Sequence, residues 1–156
     1  MNYFLNNREI IKDLAINTGT TDAPVYTTIC TTSEIEVTTD FETTDFYVFC
    51  DAIQRSLVTG VALSLDATVK LDINNAAIQD LITKINTLID SGTIAQFNNQ
   101  EVQFKLLSGI SGGILQYTTY QANATLVFSD LGGAAEEEGE FSLEIHLNGT
   151  AEEVSA

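Results

Sequence analysis

A chain of 156 residues with 44% hydrophobic content is long enough to bury a core and too apolar to be a disordered acidic tail. Its 22 acids against 6 bases leave a formal charge of −16. That charge excludes a phosphate-gripping nucleic-acid binder, because such binding needs cations that displace counterions.

The first residues mix Asn, Arg, Glu and Lys without an apolar run, so they do not read as a secretion signal. No stretch is long enough to span a bilayer, and the expected place of synthesis is a cytoplasm. Residues 2–18 suit a strand or a short helix. Residues 25–30 read as a strand, and Ile35 and Val37 alternate with Glu34, Glu36 and Thr38. From 31 to 51 the chain carries six acids and no Lys or Arg, which suggests a long acidic loop or an extended hairpin. Residues 46–50 look like a further strand.

Residues 61–73 give the clearest pattern. Val61, Leu63, Leu65, Ala67, Val69, Leu71 and Ile73 alternate with smaller or polar residues, which specifies a long strand with one buried face. A helix is predicted over about 75–90. Asn74 and Asn75 offer cap oxygens, Ile78, Leu81, Ile82, Ile85, Leu88 and Ile89 form an apolar stripe, and Gly92 is a natural stop. The stripe is expected to pack on a sheet, a partner-binding groove being its alternative use. Alternation returns at 102–106, 122–128 and 141–147, with glycine turns between. The layout predicts a single mainly β domain over 1–156, a sandwich or half-barrel with one flanking helix.

No chemistry stands out. His146 lies on the polar face of a predicted strand, between Glu144 and Asn148, and reads as a lone surface histidine. The glycines of 108–113 read as a turn. Glu136, Glu137, Glu138 and Glu140 are too close in sequence to converge on a cation. Cys30 and Cys50 read as small apolar fillers of strands, with a disulfide between them left open. The expectation is therefore no enzyme, no cofactor and no metal.

The acidic excursion at 31–51, the long strand and helix over 61–89, and the closing strands NATLVFSD and GEFSLEIHLNGT together resemble the tail tube proteins of long-tailed bacteriophages and related injection devices. The resemblance spans about 27–149. It implies six-membered rings stacked into a hollow tube, with strands of each subunit joining one inner β-barrel. It implies that genome DNA passes through the tube without specific binding. It further implies a virion tail assembled in a host cytoplasm, with tip or baseplate, terminator and tape-measure proteins as partners and no membrane.

On that reading Glu34, Glu36, Asp66 and Glu144 are candidates to line an acidic channel that repels phosphate. Ile35, Val37, Phe41, Phe46 and Phe49 are candidates to contact the adjacent ring. The alternative is a β-sandwich binding, adhesion or decoration module, for which Tyr117 and Tyr120 are the suggestive pair.

Overall fold

The computed structural model describes residues 4–47, 53–132 and 134–154. Along the chain run β1 (Ile11–Asn17), β2 (Tyr26–Thr28), β3 (Thr32–Phe46), β4 (Arg55–Lys70), α1 (Ala76–Ser91), β5 (Gln100–Ser111), β6 (Ile114–Ser129), β7 (Glu140–Leu147) and β8 (Glu152–Glu153). All eight strands belong to one antiparallel sheet, ordered β2-β1-β5-β6-β7-β4-β3, with β8 pairing β6. Alternation marks which face of a strand is buried but not which strand lies beside it, so this order is new information.

The sheet is open in its hydrogen bonding yet rolled. β2 and β3 stand at opposite edges but are consecutive in the chain. Ile29 N–H still donates to Leu14 of β1 at 2.8 Å, while the Thr31 carbonyl already accepts from Lys70 of β4 at 3.0 Å. Two residues reach about 7 Å, so the opposite edges must come that close. The apolar face rolls inward around Leu65, Ala67, Val69, Val102, Ala124, Leu126, Phe141, Leu143 and Ile145, all buried.

Local breaks in the alternation tune this roll. Asp13 adopts φ 53°, and the β1–β5 register slips between Lys12 and Ala15. The bulge brings Ile11, Leu14 and Ile16 all into the core despite their uneven spacing. The β5–β6 hairpin turns on Gly112 and Gly113 at φ 59° and 79°, between the paired Ser111 and Ile114. Positive φ at both central residues is what a two-residue turn requires to match strand twist.

Asn75 caps α1. Its side chain accepts from Ala77 and Ile78 N–H and donates to the Thr28 carbonyl at 3.0 Å, tying the helix to β2. Gly92 at φ 69° closes the other end, its N–H reaching the Leu88 carbonyl. Only the first half of the apolar stripe packs as expected: Ala77, Ile78 and Leu81 are buried. The second half is less covered, leaving Ile89 78% exposed.

Candidate functional site

The outward face of β3, β4 and β7 assembles the predicted acids. Glu36 pairs with Asp66, and Asp66 pairs in turn with Glu144, so three carboxylates stand in one row across three adjacent strands. Glu34 sits two residues along the same face of β3. All four line one cleft of about 960 Å³ that also takes in Arg8 and Lys12. Thr38 Oγ1 donates to Asp66 at 2.7 Å, and His146 lies 3.2 Å from Glu144. Lys70, further along the face, is drawn to Glu140 and Glu138 at 3.2 and 3.5 Å. The hydrogen bond that Lys70 donates to Glu140, then the charge of that carboxylate, holds the Lys70 ammonium above the usual lysine range. Like charges directly opposite one another destabilise a sheet, so the row is not there for the stability of the monomer.

The second assembly is the far half of the β3–β4 hairpin. β7 ends at Leu147, and its last direct partner on β4 is Ser64 beside His146. From Leu63 back to Arg55, β4 pairs with β3 alone. On its inward-type face Val37 lies opposite Leu65, Phe41 opposite Val61 and Thr43 opposite Val58. The stripe thus continues the core, but Phe41, Val58 and Val61 are 57%, 58% and 51% exposed. Ile35 differs from its predicted companions by packing against the core. Phe46 is exposed on the opposite face, beside Arg55, and Phe49 lies outside the described residues. Leu57 and Val58 escaped the sequence reading because a register shift between Glu42 and Thr43 breaks the alternation there.

The remaining candidates are absorbed into the fold. Tyr117 donates its hydroxyl to the Glu9 carbonyl at 2.7 Å and carries the Lys12 ammonium 3.8 Å above its ring. Tyr120 packs on Phe104 with centroids 5.8 Å apart. Cys30 is an exposed thiol, and Cys50 lies outside the described residues. Among the described residues no group of His, Cys, Asp and Glu is placed to hold a metal. At the β2 edge Tyr26 donates to Glu101 at 3.0 Å, and burial, then that bond, pushes its phenol up to about 12.

No protein-family model and no curated protein matches the chain. Solved structures do. A chain in the tail of an empty gene transfer agent particle, refined with C6 symmetry, superposes with TM-score 0.59 at 13% identity, over 97% of this chain and 100% of that one. A chain of the SPP1 tail tube superposes with TM-score 0.54 at 12% identity, over 93% of this chain and 76% of that one. The chain has the tail-tube fold. A chain of the anti-feeding prophage baseplate, symmetrised six-fold, shares that fold as well, with TM-score 0.53 at 14% identity, over 99% of this chain and 97% of that one. In a tail-tube fold, the single rolled sheet with one helix at its flank is the expected architecture, and the long β3–β4 hairpin occupies the acidic excursion singled out in the sequence.

Proposed function

We propose that the chain is a structural subunit of a phage-type tail tube, located in the tail of a virion or related particle. Six copies form each ring, and rings stack around an acidic channel through which DNA passes. The uncovered apolar face of the β3–β4 hairpin carries this reading. The alternation of β4 specifies burial from Val61 to Val69, yet the chain itself buries only Leu65, Ala67 and Val69. A face patterned for burial and left open is completed by a neighbour.

The row Glu36, Asp66, Glu144, with Glu34, supports the channel assignment. Carboxylates facing a lumen repel phosphate and let a polyanion slide. Subunits that meet through two different surfaces build either rings or open filaments, and a stacked tube uses both. Tip, terminator and tape-measure proteins complete the partner set, and assembly takes place in a host cytoplasm. The binding-module alternative loses its support because Tyr117 is engaged by the Glu9 carbonyl and the Lys12 ammonium, and Tyr120 by Phe104.

Light scattering at rising concentration tests the reading. Growth without a fixed end size, above a threshold concentration, is expected. A small oligomer of constant mass at every concentration, with isolated tail tips added as well as without them, would contradict it.

A further inference from the structure

An apolar groove of about 500 Å³ lies between the last turns of α1 and the end of β6. Leu88, Ile89, Ile94, Phe97, Val127 and Leu131 line it, and Asp130 is the single charged residue among its lining. We propose that this groove is the acceptor for the β3–β4 hairpin of a second copy of the chain, seating Phe41, Val58 and Val61. The proposal rests on the tube reading and adds the surface that receives the hairpin.

Strand register places donor and acceptor at opposite ends of the molecule. β4 and β6 both run antiparallel to β7, so they run in the same direction. The uncovered part of β4 lies on the N-terminal side of Ser64, past the end of β7. The groove takes the C-terminal end of β6, from Leu126 to Leu131. Phe128 is level with Leu143, and Leu143 with Ala67, six residues along β4 from Val61. At strand rise that is about 20 Å along the sheet. A copy displaced along the strand direction therefore brings its hairpin towards the groove of the next. Such a head-to-tail contact does not close on itself, so it propagates.

Charge selects the same pair. In a chain of net charge −16, most surfaces of two copies repel. The stripe Val37, Thr39, Phe41, Thr43 with Val58, Val61 and Leu63 carries no charge, and the groove carries one acid. These two surfaces meet without opposing carboxylates across most of their area. Both are also apolar where the chain itself supplies no cover, with Ile94 65% and Leu131 45% exposed.

Cross-linking decides it. In a background with Cys30→Ser and Cys50→Ser, the pair Val61→Cys and Ile89→Cys is assembled and oxidised, beside a control pair Val61→Cys and Asp90→Cys. A ladder of covalently linked chains from the first pair, well above the control, is expected. Ile89→Glu should raise the concentration needed for assembly roughly tenfold or more, and adding Val61→Lys should restore much of the loss. Tubes that form normally from Ile89→Glu, or that give no ladder above the control, would overturn the groove assignment and leave the tube reading standing. Wild-type protein that forms no tubes, alone or seeded with isolated tail tips, would overturn both.

Discussion

Phe41 of β3 stands directly opposite Val61 of β4, and both are more than half exposed although they extend the face that buries Leu65 and Ala67. An apolar cross-strand pair contributes about 0.2–1 kcal/mol to a sheet, and this pair gains little further from burial in the single chain. Phe41→Ser is therefore expected to change monomer stability by under about 1 kcal/mol in urea unfolding. The same variant should raise the threshold for assembly by about tenfold or more in light scattering. A large loss of monomer stability would show that the pair belongs to the core.

Phe141 gives the contrast. It is 1% exposed and packs on Phe128 with ring centroids 5.6 Å apart. Phe141→Ala is expected to cost about 3–5 kcal/mol in urea unfolding of the monomer, through lost transfer energy and a residual cavity.

The acid row should announce itself through salt. Glu36, Asp66 and Glu144 oppose one another on adjacent strands. Changing Glu36 and Glu144 to Gln and Asp66 to Asn should stabilise the monomer by about 0.5–1 kcal/mol at low ionic strength. The gain should shrink towards zero near 1 M salt, where screening extends over about 3 Å. The Thr38 hydroxyl retains an acceptor on Asn, so that hydrogen bond does not confuse the comparison. A gain that is independent of salt would point to packing and not charge.

Asn75 holds the helix at two points. Replacing it with Ala removes the cap of α1 and the bond to the Thr28 carbonyl, and should cost about 1–2 kcal/mol by thermal or urea unfolding. A cost of a few tenths would show that water replaces both.

Tyr26 offers a titration. Its phenol ionises at about 12 in the folded chain against an ordinary value of 10.0. The raised value means that the neutral form is favoured on folding. This contribution is complete below pH 10 and is lost as pH rises through about 12. Ultraviolet absorbance should show one of the five tyrosines ionising last, and Tyr26→Phe should remove that step.

Much of this was legible in the residues. The helix predicted over about 75–90 is Ala76–Ser91, because cap, stripe and glycine stop all mark the same segment. The strands at 102–106, 122–128 and 141–147 are the buried portions of β5, β6 and β7, and each strand follows alternation where one face is covered. Residues 2–18 stayed ambiguous because the Asp13 bulge spaces Ile11, Leu14 and Ile16 unevenly, which imitates a helix. β3 read as loop or hairpin because Glu34, Glu36, Asp40 and Glu42 alternate against residues that its own chain leaves open. The row formed by Glu36, Asp66 and Glu144 depends on which strands are neighbours, and alternation within a strand carries no such information. The groove beside Ile89 depends on how closely the end of α1 packs on β6, which is a property of tertiary packing.

Electron microscopy of the purified chain, alone and seeded with isolated tail tips, decides whether it builds a tube. Hollow tubes of uniform diameter with six subunits per ring are expected, with Glu36, Asp66 and Glu144 facing the lumen and Phe41 and Val61 buried against a neighbouring subunit. Particles that remain small and discrete under both conditions, or tubes in which Phe41 and Val61 face solvent, would contradict it.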